Sequence, residues 1–179
     1  MAGRSPIRVG ISACLVGQPV RYDGGHKRDA FLLDWLGRFA ELVPVCPEVE
    51  LGLGTPRGTL RLELRAGEIR MVFAQTRVDI TERMRDWSAR RVERLAREGL
   101  SGFVLKKSSP SCGLHQVKVH GDTDAPTPSG RGLFAQELHE RFRALPIEEE
   151  GSLQEDAALR EDFLERVYAY REMMLRDRR

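Results

Sequence analysis

Three short apolar runs, each closing on a cysteine beside a Pro, Gly and Ser-rich loop, constrain this chain more than any other feature. They read IRVGISACLVG with Cys14, ELVPVCPEVELGLGTPRG with Cys46, and GFVLKKSSPSCG with Cys112. Short continuous apolar runs bounded by turn formers fit strands buried on both faces, as in a parallel sheet. If the three runs are neighbouring parallel strands, all three thiols meet at one edge of the sheet. In open α/β sheets that edge, outside the carboxyl ends of the strands, is where ligands bind.

Helical patterns between the runs support this. Leu32, Trp35, Leu36 and Phe39 are spaced as one helix face over residues 29–39. Asp79 and Glu82 resemble a capping box opening a long helix to Glu98, with Gly99 as its stop and Ile80, Met84, Trp87 and Leu95 on its apolar face. Its many arginines read as a solvated face laced with i, i+4 pairs. Residues 133–145 are amphipathic through Phe134, Leu138 and Phe142, and residues 156–176 through Leu159, Phe163, Val167, Tyr170 and Met174. Residues 59–76 read as an appended β-hairpin about Ala66-Gly67, residues 116–120 as a short edge strand, residues 121–132 as a turn-rich loop and residues 146–148 as a strand end. Strands alternating with helices give an α/β fold, a mostly parallel sheet flanked by helices. No repeat or linker divides the chain, so residues 1–179 are expected to form one domain.

The charge balance, 29 basic against 27 acidic residues, argues against nucleic acid or an anionic membrane as an obligate partner. There is no apolar run of the roughly 20 residues that a membrane span needs. The start enters a strand pattern without a signal-peptide core, so the cytoplasm is the expected location. Three cysteines cannot all pair with one another, and in a reducing compartment ligation or catalysis outranks bridging. Three unrelated buried thiols remain the bland alternative. The separations, 32 residues from 14 to 46 and 66 from 46 to 112, contain no CxxC pair, which weakens a zinc finger or a ferredoxin-type run. A 4Fe–4S cluster on three strand-end thiolates would keep one iron free as a Lewis acid, and sulfur is a well-matched soft ligand for it.

Polar groups crowd the same loops: Ser12, Arg21, Tyr22 and Asp23 near Cys14, Glu48 two residues past Cys46, and Lys106, Lys107, Ser108, Ser109 and Ser111 before Cys112. A carboxylate there suits a general base on water, and hydroxyls suit hydrogen bonds to substrate or to cluster sulfur. Taken singly, Asp23 and the serines are ordinary turn residues; as a group they indicate a site. GLGTPRG lacks the spacing of a dinucleotide fingerprint. Ser129–Gly132, reading SGRG, precedes a helix and is either an ordinary N-cap or an anion site. His26, His115, His120 and His139 show no ligand spacing, although His26 and His115 lie near the cysteine loops.

SACLVGQPVRYDGGHK, VCPEVELGLGTPR and LKKSSPSCG, in this order, resemble the thiouracil desulfidase family. The resemblance runs from about residue 7 to 163 and includes the late PIEEEG and FLERVYAY. It implies a Rossmann-like α/β domain holding an oxygen-sensitive 4Fe–4S cluster on Cys14, Cys46 and Cys112. It implies a non-redox desulfuration of a thiolated uracil, either 4-thiouracil or a thiouridine nucleotide, to uracil and hydrogen sulfide, with the substrate sulfur on the free iron. Glu48 would be the acid/base residue and Ser109 its assistant, with Ser108 and Ser111 open for the same part. Ser12, Asp23, Lys107, Ser108 and Ser111 would contact substrate. Some relatives carry an accessory domain directed at thiolated tRNA. Its absence here favours a small-molecule base or nucleotide, with nucleic acid and membrane not expected as partners. The competing reading is an iron–sulfur or zinc module that senses redox state or carries electrons; full ligation would then require a non-cysteine ligand such as His26 or His115. A small hydrolase with incidental cysteines is a third.

Overall fold

The computed structural model describes residues 6–121 and 125–177. In chain order the elements are β1 (Arg8–Ser12), α1 (Ala30–Leu36), β2 (Glu41–Val45), α2 (Pro47–Glu50), β3 (Leu60–Arg65), β4 (Glu68–Phe73) and α3 (Thr81–Glu98). There follow β5 (Gly102–Leu105), β6 (Val117–His120), β7 (Thr127–Gly130), α4 (Leu133–Arg141), β8 (Ile147–Glu149), α5 (Glu150–Glu155) and α6 (Ala157–Arg176).

The apolar runs that end near the cysteines become β1, β2 and β5. They are adjacent and parallel in a sheet of order β2-β1-β5-β8. The chain leaves β1 toward β2 on one side and later returns to β5 on the other, so β1 and β5 flank the topological switch point. Both faces are covered, as all-parallel sheets require. On one face Phe103 and Leu105 pack with Val92 and Leu95 of α3 and Phe134 and Leu138 of α4. On the other, Val9, Ile11 and Val104 pack with Leu32 and Leu36 of α1, Leu153 of α5, and Phe163 and Val167 of α6. Gly10 in β1 is fixed by this packing: a Cβ there would lie 2.2 Å from the Phe103 ring.

The 59–76 hairpin forms as β3 and β4, but it is half of a second four-stranded sheet of order β4-β3-β6-β7. β6 is therefore not an edge strand, as the sequence suggested. It lies parallel to β3 and antiparallel to β7, with a bulge at Val117/Lys118. The sequence masks β7 because Pro and Gly signal a loop, yet an edge strand tolerates proline. Residues 122–124 of the expected loop lie outside the described residues. The second sheet packs through Leu62, Met71 and Val119 onto Ile80 and Met84.

Two helices, α1 and α6, start on a side-chain cap. Asp29 Oδ1 accepts from the Leu32 amide at 2.9 Å, and Asp156 Oδ1 from the Leu159 amide at 3.0 Å. The capping box expected at α3 does not form. Arg70 on β4 draws both carboxylates to itself, with Nε 2.8 Å from Asp79 and Nη1 2.9 Å from Glu82. Of the arginines of α3, Arg85 pairs with Glu82 along the helix, and Arg91 bridges Glu98 of the same helix and Glu50 of α2. Gly99 ends α3 in the left-handed region, at φ 70°. Among the described residues no helix is long and apolar enough to cross a membrane.

Candidate functional site

Each cysteine sits just past a parallel strand, held by a different local device. After β1 a 3-10 turn over Ala13–Val16 carries Cys14 and is closed by Gly17 at φ 93°. Cys46 is the residue before α2, with Pro47 opening the helix. Cys112 lies in the loop after β5. There Ser109 Oγ accepts from the amides of Ser111 and Cys112, at 3.2 and 3.0 Å. The first turn of α4 clamps the same loop, since the amides of Leu133, Phe134 and Ala135 donate to the carbonyls of Pro110 and Ser111 at 3.1 Å. These bonds use the donors that an anion at SGRG would need. Gly132 must be glycine here, because a Cβ would lie 2.4 Å from the Ser111 carbonyl.

The three thiols line one cavity of about 420 Å3 outside the carboxyl ends of the strands. Ser12, Glu48, Lys106, Lys107, Ser108 and Ser109 line it too. Burial pushes the Cys14 thiol up to about 11; Lys106 opposes this and the neighbouring Cys46 adds to it. Burial also raises Cys46 and, more strongly, Cys112, against an opposing hydrogen bond from Ser12. Ser12 Oγ accepts the Lys106 amide at 2.9 Å, which joins the ends of β1 and β5. All three cysteines are free. Among the described residues no three His, Cys, Asp or Glu side chains are set to hold a single metal ion. Three thiols from three strand ends that line one cavity are a donor set an iron–sulfur cluster can take, each thiolate on its own iron. Thiolates rather than thiols ligate, so a metal bound there would release the protons that burial holds on these groups.

Glu48 is held at both oxygens. Arg57 donates to Oε2 from Nε at 2.8 Å and Nη2 at 2.5 Å, and Ser111 Oγ donates to Oε1 at 2.6 Å. Ser111 is buried and does not line the cavity, whereas Ser108 and Ser109 do. Behind the Cys112 loop, buried Glu150 pairs with Lys106 and accepts the Lys107 amide at 2.7 Å. Buried Glu149 accepts the amides of Leu114 and His115 at 2.7 and 3.1 Å.

Not every candidate arrives at the cavity. Asp23 is exposed, and its Oδ1 accepts the Gly25 amide in a turn. His26 and His115 are exposed and line no part of the cavity, so neither stands there as a fourth ligand. Arg57, Glu149 and Glu150 were missed by reading the sequence. Arg57 lay in the discounted GLGTPRG, and the two acids in an EEE run that reads as surface. Three consecutive acids directly after the apolar Leu145-Pro146-Ile147 were the available signal. A larger cavity, about 830 Å3, lies at the amino ends of the strands among Leu100, Leu145, Phe142 and Tyr170; no cysteine lines it.

Comparison with known proteins bears on this geometry. Residues 9–150 match the family described as 2-thiouracil desulfurase. The chain is 28% identical over 131 residues to the Bacillus subtilis (strain 168) protein YbbK, described as uncharacterized, which spans 70% of this chain and 85% of that protein. Its fold is similar to the solved structure of the [4Fe-4S]-dependent thiouracil desulfidase TudS. The TM-score is 0.68 at 32% identity, covering 86% of this chain and 97% of that one.

Proposed function

Since the chain belongs to the 2-thiouracil desulfurase family, we propose that it replaces the sulfur of a thiolated uracil, as 4-thiouracil or a thiouridine nucleotide, with oxygen from water and releases hydrogen sulfide. The observation that carries this reading is the convergence of Cys14, Cys46 and Cys112 in one cavity beside the fixed carboxylate of Glu48. The similarity to a [4Fe-4S]-dependent enzyme supports a 4Fe–4S cluster held by these three cysteines. When bound, such a cluster supplies a Lewis-acidic iron suited to the soft sulfur of a thiocarbonyl.

The chain's own residues do the rest. Glu48 takes a proton from a water placed beside the ring carbon that bears sulfur, so the carbon gains oxygen and the sulfur departs with the protons of water. No electron enters or leaves, because a C=S carbon and a C=O carbon have the same oxidation state. Ser111 and Arg57 hold the Glu48 carboxylate in place. Ser109 already accepts two amides, so its hydroxyl proton is free for the substrate's ring atoms or the departing sulfur. Ser12 and Ser108 add hydroxyls and Lys107 a cation around the substrate.

The test is turnover by anaerobically reconstituted protein, followed as loss of the 4-thiouracil absorbance, for wild type and Glu48→Gln. Wild type is expected to turn over, and Glu48→Gln to keep its cluster while losing about 10²–10⁴-fold in rate, the worth of a general base. A Glu48→Gln protein with normal rate would remove Glu48 from the mechanism.

A further inference from the structure

Arg57 lies at the seam of the site rather than on the surface. Its side chain is 5% exposed and that of its partner Glu48 15%. Nη2 donates to the Val20 carbonyl at 2.9 Å as well as to Glu48, and Nη1 to the Gly54 carbonyl at 2.8 Å. The Arg57 amide donates to the Tyr22 carbonyl at 2.8 Å. One guanidinium thus joins the loop that follows Cys14, the loop that follows α2, and the carboxylate two residues past Cys46.

The consequence lies in how the two oxygens of Glu48 are used. Oε2 takes both Arg57 bonds and is saturated, since a carboxylate oxygen has about two acceptor directions. Oε1 takes only the Ser111 hydroxyl and retains one direction. We infer that Arg57 is a positioning residue for the desulfuration, acting through Glu48 by engaging Oε2 so that the free direction of Oε1 faces the cavity. This role rests on the desulfidase reading above. A planar fork fixes the rotation of the carboxylate as well as its charge. A lysine would restore the charge without the fork.

The experiment compares reconstituted wild type, Arg57→Lys, Arg57→Met, Glu48→Gln and the double variant Glu48→Gln/Arg57→Lys on 4-thiouracil, with iron per chain measured for each. Arg57→Lys is expected to bind iron as wild type does and to lose about 10–100-fold in kcat, the scale of a catalytic group displaced by about 1 Å, with KM within about threefold. Arg57→Met is expected to lose more. If it fails to fold, Arg57→Lys alone carries the comparison. In the Glu48→Gln background Arg57→Lys is expected to cost less than about threefold, because residues that act as one unit are not additive. Wild-type kcat in Arg57→Lys overturns the inference. So does an equal loss with and without the Glu48 carboxylate, and so does a loss of iron that tracks the loss of rate. Loaded wild type that leaves 4-thiouracil intact refutes the desulfidase reading itself, and the role of Arg57 falls with it.

Discussion

Replacing Glu150 by glutamine tests whether a buried charge pair supports the thiol site. Glu150 pairs with Lys106 and accepts the Lys107 amide, tying the strand end that leads to Cys112 onto α5. The side chains are 6% and 17% exposed. Glutamine keeps an acceptor for the Lys107 amide but leaves the Lys106 ammonium without its counter-charge. Breaking a buried pair from one side costs about 3–5 kcal/mol. Lys106 retains some access to water, so the low end, about 3 kcal/mol, is expected. For a chain of this length that lowers Tm by roughly 6–12 °C. The assay is thermal unfolding of the reduced apoprotein by circular dichroism. Adding Lys106→Met to Glu150→Gln removes the orphaned charge and should restore at least about half of the loss, as replaced buried pairs often do. A Glu150→Gln protein within about 2 °C of wild type, or a double variant no better than the single one, would refute the reasoning.

Two further predictions concern the frame around the site. Gly132→Ala sets a methyl 2.4 Å from the Ser111 carbonyl, so it should cost about 1–3 kcal/mol as an overpacked contact and lower iron uptake by displacing the Cys112 loop; unchanged iron per chain in a folded variant would contradict this. Asp79 is partly buried, which alone would raise its pKa, but hydrogen bonds from Arg70 and Thr81 outweigh burial and lower it from 3.8 to about 2. A carboxylate depressed on folding adds stability above its unfolded pKa and loses it as pH falls through the folded value. That shift is worth at most about 2.4 kcal/mol. Solvent at the carboxylate reduces it to about 1 kcal/mol, so Asp79→Asn should cost about 1 kcal/mol at pH 7 and only a small part of that near pH 2, where the folded carboxyl is half protonated, in urea unfolding at both pH values.

The parts legible in the sequence were those governed by local pattern. Apolar runs marked β1, β2 and β5, and helical spacing marked α1, α3, α4 and α6. The placement of three cysteines just past three such strands followed from one rule about parallel sheets. What the sequence hid depended on contacts distant along the chain. β7 pairs antiparallel with β6, although its own composition, Thr-Pro-Ser-Gly, reads as loop. The capping box at Asp79 failed because Arg70, on another element, competed for both acids. Glu48 was legible from its distance to Cys46, but Arg57 was not, since no short-range rule brings it onto a carboxylate nine residues earlier. Asp23 shows the converse: a polar residue beside a motif, satisfied within its own turn and facing solvent.

The proposed ligation of one iron–sulfur cluster by Cys14, Cys46 and Cys112 is open to direct measurement. Its most direct test is the iron and sulfide content, per chain, of wild type and of Cys14→Ala, Cys46→Ala and Cys112→Ala after anaerobic reconstitution. About four irons and four sulfides are expected in wild type, with the broad visible absorbance of a thiolate-held cluster, and loss of both from each single variant. A wild type that takes up no iron, or a variant that loads as fully as wild type, would contradict it.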